Sequence, residues 1–316
     1  MKYLFVGAFV FLVAIPVNLV DAFLGTKRHR VFLKPLQATT TDAIASMGAS
    51  QTSIVDSISA AIPDLESKPS LLWTSEYIGK NLATLDARDA MGNANVAWLS
   101  SVNVADTMSS LTIFNGPLTD VPHLLSRCMV NADNTMTFAL DFRPRAYGAY
   151  EMVQDDGSYP GPETLGRDAF TYSGNRKDYD TKFVTEEVAA FIESTVSSFE
   201  GASACGVPTE LELLTQGPLS INVNMPLTDG NVAAINAARE KAADYWLTWA
   251  RDVDGPNYHR PGAPINAQYV YDSKYRQNAY SALLPVYAAA FGDVDGPKLT
   301  AAESGPLDEG YVGGGS

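Results

Sequence analysis

Residues 135–142 alternate strictly: Met136, Phe138, Leu140 and Phe142 fall between Thr135, Thr137, Ala139 and Asp141. Successive side chains of a strand point to opposite faces, so a period of two predicts a strand with one apolar face and one mixed face. Leu219, Ile221, Val223 and Met225 repeat the pattern, and short apolar runs at 96–99, 111–114 and 124–130 precede it. Residues 131–134, Asn-Ala-Asp-Asn, have turn composition and make 124–130 and 135–142 a hairpin. A second hairpin is expected around Gly217-Pro218, with Leu211 and Leu213 on its first arm. Helical spacing comes between these runs. Ile44, Met47, Ile54, Ile58 and Ile62 follow Asp42, a candidate N-cap, and Pro63 ends the pattern. Thr185 precedes Val188, Phe191, Ile192, Val196 and Phe199, and Thr228-Asp229 precedes a longer series through Val232, Ile235 and Trp246, with Gly255-Pro256 as its stop. A last helix is expected from about Ser281. Hairpins interrupted by helices, without repeated βαβ units, predict an α/β fold in which an antiparallel sheet is sandwiched between helices. Residues 151–182, rich in Gly, Pro, Asp and Tyr, read as a long surface loop and a candidate lid.

Composition limits what such a fold does. The 316 residues carry a formal charge of −14, which opposes binding to the phosphates of nucleic acid. Residues 4–20 are apolar, follow Lys2 and end near Val20-Asp21-Ala22, so 1–22 read as a signal peptide, with a membrane anchor as the alternative. Phe23 opens a basic, then Ser/Thr/Ala-rich segment at 23–40 with transit-peptide composition. The two-part address predicts a plastid of secondary origin, against simple secretion. Residues 41–300 then form a single domain with no integral membrane span after processing, and 301–316 form a disordered tail.

Several chemistries lack their residues. Cys128 and Cys205 make no C-x-x-C, and His29, His123 and His259 are scattered, so no metal or iron-sulfur site is expected. No dinucleotide fingerprint, phosphate loop or nucleophile elbow is present. Cys128 and His123 lie about 16 Å apart on opposite faces if they share one strand, which excludes a thiol-imidazole nucleophile.

The stretch Ser110-Leu-Thr-Ile-Phe114-Asn-Gly-Pro-Leu-Thr119-Asp-Val-Pro122-His-Leu-Leu-Ser-Arg127, followed by Leu140-Asp141-Phe-Arg-Pro144-Arg145, resembles the red chlorophyll catabolite reductases of the ferredoxin-dependent bilin reductase superfamily. Weaker echoes are Gly206-Val-Pro208-Thr209 and Asp272-Ser-Lys-Tyr-Arg276. The resemblance spans roughly residues 95–295, with 151–200 poorly matched. It implies a three-layer α/β/α sandwich with a central antiparallel sheet, and an open-chain tetrapyrrole held between the sheet and the helices of one side. It also implies no tightly bound cofactor, with single electrons supplied by external reduced ferredoxin. The reaction implied is reduction of red chlorophyll catabolite to the primary fluorescent catabolite in the plastid. The alternatives are a phycobilin-type bilin reductase and a non-catalytic tetrapyrrole carrier.

The resemblance also assigns residues. Asp272 matches a family carboxylate, expected to be kept protonated by burial so that it donates a proton; the other reading is a loop aspartate paired with Arg276. Asp141 is either a pocket acid or a residue fixing the turn before Pro144-Arg145. His123 shares strand parity with position 127, so it is a further candidate proton donor or else a partly exposed strand-end histidine. Arg127 stands where the family carries an acid; an arginine is a poor acid but binds a propionate. With Arg127, the substrate-binding set comprises Arg276, Phe114 and Leu125. Arg143 and Arg145, with Arg176, Lys177 and Lys182 nearby, are expected to form a basic rim facing ferredoxin.

Overall fold

The computed structural model describes residues 36–62, 65–67, 73–77, 81–89, 98–104, 107–116, 118–145, 177–206, 217–251 and 265–305. The leader, most of segment 23–40, the 151–176 portion of the expected lid, the arm around Leu211 and the Gly-rich end lie outside them. Among the described residues nine strands form one antiparallel sheet: β1 (Glu66–Ser67), β2 (Trp73–Tyr77), β3 (Asn81–Asp89), β4 (Trp98–Val104), β5 (Met108–Phe114), β6 (His123–Val130), β7 (Thr135–Arg143), β8 (Ser203–Ala204) and β9 (Ser220–Pro226). The order is β1-β3-β4-β5-β6-β7-β9-β8, with β2 also paired to β3. Consecutive hairpins run from β3 to β7. Strands β1–β3 have no clear alternation in sequence and were not expected.

The period of two places the layers. Leu111, Leu124, Cys128, Phe138, Leu140, Ile221 and Val223 point to one face and pack on three helices. These are α1 (Leu36–Ala61), α3 (Glu186–Ser198) and α4 (Asp229–Ala250). Thr185 and Thr228 cap α3 and α4 as expected, accepting from the backbone N–H of Val188 and Asn231. Arg239 of α4 is buried against the sheet, where Nε donates to Ser126 Oγ and Nη1 to Ser109 Oγ, each at 2.8 Å. Cys128 lies in this core, where burial pushes its thiol up to about 12.

A single long element covers the other face. Helix α5 (Ile265–Ser304) breaks at Gly292, whose φ of 79° and ψ of 177° are not helical. The chain then returns along itself, bringing Gly296 against the backbone of Ala288. Trp98, Val102, Phe114 and Met129 pack beneath it on Tyr275, Leu283, Tyr287 and Leu299. Helices thus lie on both sides of the antiparallel sheet, the expected three-layer arrangement.

Some boundaries differ from expectation. Helix α1 begins at Leu36, so Asp42 is an interior residue rather than a cap, because the continuing turns satisfy its backbone. Residues 177–183 form a short helix, α2 (Lys177–Phe183), with Tyr179 and Phe183 buried, where loop was expected to 182. Helix α5 starts at Ile265, well before Ser281. It runs to Ser304, and Trp98 Nε1 donates to the carbonyl of Ala302 at 2.7 Å, so 301–304 are buried helix rather than tail.

Candidate active site

Two rows of cross-strand partners build the floor of a cleft on the α5 face. Ser110, Arg127, Ala139 and Asn222 form one row, and Thr112, Leu125, Asp141 and Ser220 the next. All eight line the same open cleft. Tyr275, Ala279 and Leu283 of α5 recur every fourth residue and so present one helix face as its roof. Glu303, from the returning arm of α5, closes one wall. A mostly apolar cleft with a few convergent charged groups is the usual form of a small-molecule site.

The charges are paired across the cleft. Arg127 Nη2 contacts Glu303 Oε2, which also accepts the Tyr287 hydroxyl at 2.8 Å. Burial opposes the charge of Arg127, but Glu303 outweighs it and raises its pKa. Arg143 Nη2 lies 2.5 Å from Asp141 Oδ2, and its guanidinium stands 5.7 Å from the centre of the Tyr275 ring. Neither oxygen of Asp141 receives an aligned hydrogen bond, and Glu303 Oε1 has no hydrogen-bond partner. Burial therefore dominates at Asp141 over the opposing charge of Arg143, raising its pKa from 3.8 to about 6. Asp141 is an acid placed to carry or release a proton near neutral pH.

The remaining expected residues form a second cluster, behind the cleft. Arg145 is fully buried, and its guanidinium donates to the carbonyls of Thr119 at 2.6 Å and Gly116 at 2.9 Å. It also grips Asp272 through Nη2, while Gln268 Nε2 donates to Asp272 Oδ1 at 3.1 Å. The backbone N–H of Asn115 donates to His123 Nδ1 at 3.0 Å, which leaves the ring proton on Nε2, facing Asp272 Oδ1 at 3.2 Å. Burial, then the charge of Arg145, lowers His123 to about 4 against the opposing pull of Asp272, so the ring is neutral. At Asp272 burial pushes upward, but Arg145 and His123 prevail and hold the carboxyl well below the usual range. Phe114 stacks edge-on to His123 at 4.8 Å. The cluster clamps the β5–β6 connection to α5.

Five expectations change accordingly. Asp272 is a helix residue held ionised by Arg145, not an acid kept protonated by burial. His123 faces the Arg127 side of the sheet, as its parity required, and opens β6, but it is buried rather than partly exposed and neutral rather than a charged proton donor. Phe114 packs in the core behind the cleft. Arg276 is largely buried, with Nη2 reaching Ser273 Oγ at 3.4 Å, and does not line the cleft. Arg143 and Arg145 are buried, so neither forms a rim for a protein partner; Lys182 of the same expected rim pairs with Asp120. Leu125, Arg127 and Asp141 do line the cleft. Sequence reasoning missed Tyr275, which sat inside the Asp272–Arg276 motif, and Glu303, which fell in the expected tail. The polar alternates of β5 and β9, Ser110, Thr112 and Asn222, carried a signal in their period.

Among the described residues no group of three metal-ligating side chains gathers, and no helix is long and apolar enough to cross a membrane. A cleft between an antiparallel sheet and one helical layer of an α/β/α sandwich defines the class of molecule. The fold matches the crystal structure of selenomethionine phytochromobilin synthase from tomato in complex with biliverdin, with a TM-score of 0.51 at 14% identity over 76% of each chain. No protein-family profile and no curated protein matches the sequence.

Proposed function

We propose that the chain reduces an open-chain tetrapyrrole bound in the cleft between β5, β6, β7, β9 and α5, with Asp141 as proton donor. The observation that carries this reading is an acid raised to about 6 inside a largely apolar cleft, in a fold shared with a protein solved with biliverdin bound. Reduction of a conjugated pigment adds electrons and protons in equal number. A carboxyl group whose pKa lies near the working pH is both populated as the acid and ready to transfer its proton. Leu125, Tyr275 and Leu283 supply apolar area for the pigment body, and Arg127 and Arg143 supply cations for its propionates. Asp272 holds Arg145 and His123 in place and is not the donor.

The motif block at 110–145 supports a narrower reading: red chlorophyll catabolite as substrate, the primary fluorescent catabolite as product, and external reduced ferredoxin as electron source without a tightly bound cofactor. The composition of residues 1–40 supports plastid targeting. Arg127 at the family's acid position favours a second reading, a carrier that binds pigment without reducing it. Incubation of the full chain with biliverdin or red chlorophyll catabolite and reduced ferredoxin, followed by absorbance and fluorescence, separates the two. The reductase reading expects turnover that falls about 10²–10⁴-fold in Asp141→Asn, the typical worth of general acid catalysis. Pigment binding without turnover by the wild type leaves the carrier, and unchanged turnover in the variant removes Asp141 as the donor.

A further inference from the structure

The cleft presents Arg127 and Arg143 on its floor against Asp141 on the floor and Glu303 on its wall. Both pairs are in contact, so among the described residues the charged groups of the cleft balance before any ligand arrives. A ligand carboxylate entering this space therefore faces cations already neutralised by resident carboxylates, in a setting where an unbalanced buried charge is costly. We propose that the cleft takes up a carboxylate-bearing tetrapyrrole together with one proton, which comes to rest on Asp141. One ligand carboxylate replaces Asp141 as the counter-charge of the arginines and Asp141 becomes the neutral acid, so the charge inside the cleft is unchanged while any second carboxylate stays at its open mouth. The inference deepens the reductase reading and rests on it: substrate binding itself loads the donor.

The geometry favours Asp141 over Glu303 as the proton's site. Glu303 Oε2 is engaged by both Arg127 and the Tyr287 hydroxyl. Asp141 has one charged contact and no aligned donor. Among the described residues, the charged and titratable groups that line the cleft with Asp141 are Arg143 on its own strand, Arg127 on β6, and Tyr275 and Glu303 on α5, and β9 contributes the neutral Ser220, Ile221 and Asn222. A new anion beside Arg143 or Arg127 weakens the only attraction that keeps Asp141 ionised, and its already raised pKa moves further up.

The test is calorimetric titration of biliverdin into the full chain across a pH series, in paired buffers of different ionisation heat. The expected result is uptake approaching one proton per pigment bound above pH 6. Affinity should weaken tenfold for each pH unit above about 6, where the free protein must first be protonated. Asp141→Asn, neutral at every pH, should bind with no uptake and a flat profile. Biliverdin dimethyl ester, which lacks the carboxylates, should bind the wild type without uptake, a control that needs no variant to fold. Biliverdin binding without proton uptake, or equal uptake by wild type and Asp141→Asn, overturns the proposal and leaves the reductase reading standing. Failure of both biliverdin and red chlorophyll catabolite to bind at any pH overturns both.

Discussion

Asp141 and Asp272 are both buried carboxylates facing an arginine, yet they titrate in opposite directions. The difference is the number of groups that stabilise each anion. Asp272 has Arg145, His123 and Gln268, whereas Asp141 has Arg143 alone among the described residues. The consequence appears in stability. Asp141 rises from 3.8 to about 6 on folding, so between those values the native state holds a proton that the unfolded chain has released; this contribution is lost as pH rises. His123 falls from 6.5 to about 4, so the unfolded chain binds a proton that the native state refuses; this contribution is gained as pH rises. The two slopes oppose one another, each integrating to roughly 3 kcal/mol. Urea unfolding between pH 4 and 7 should therefore show, relative to wild type, a steeper rise with pH in Asp141→Asn and a fall in His123→Gln. Parallel curves for all three proteins would mean that neither residue titrates between the folded and unfolded states.

At the scale of elements, α5 decides the site. Its first arm roofs the cleft with Tyr275, Ala279 and Leu283, and its second delivers Glu303 to Arg127. The reversal depends on two glycines. Gly292 occupies a backbone region that only glycine enters without strain. A Cβ on Gly296 would stand 2.6 Å from the Ala288 backbone, which cannot give way as a flexible side chain would. Gly292→Ala and Gly296→Ala should each cost roughly 1–3 kcal/mol, read as a lowered Tm, whereas Val294→Ala on the exposed bend should stay within about 0.5 kcal/mol. Equal Tm values for all three would contradict the doubled-back packing. Little of this element was legible beforehand. Its apolar spacing is interrupted by Pro285, Gly292 and Pro297, so only the stretch near Ser281 carried a regular helical signal. By contrast α3 and α4 were legible from their threonine caps and unbroken stripes.

For the whole molecule, the burial of Arg143 and Arg145 takes two residues out of the basic rim expected for docking an acidic electron donor. A chain with a net charge of −14 then repels such a donor at long range. If reduced ferredoxin drives turnover, its rate should rise as ionic strength climbs from about 10 mM to about 150 mM, because the screening length shortens to about 8 Å. A rate that falls over that range would require an attractive basic surface elsewhere on the chain.

The alternation on β7 and β9, with the parity of positions within β6, by itself determined which side chains of a strand share a face, and so put Asp141 opposite Phe138 and Arg127, with His123, opposite Cys128. That period is local, set by the backbone geometry of each strand. Only the tertiary structure decided what those residues are. Arg145 meets Asp272 across 127 positions of sequence and Arg127 meets Glu303 across 176. A carboxyl group's pKa follows from its burial and its neighbours in space, so Asp272, to which the motif pointed as an acid, is held as an anion by Arg145 and His123, while Asp141 is the carboxyl that burial raises.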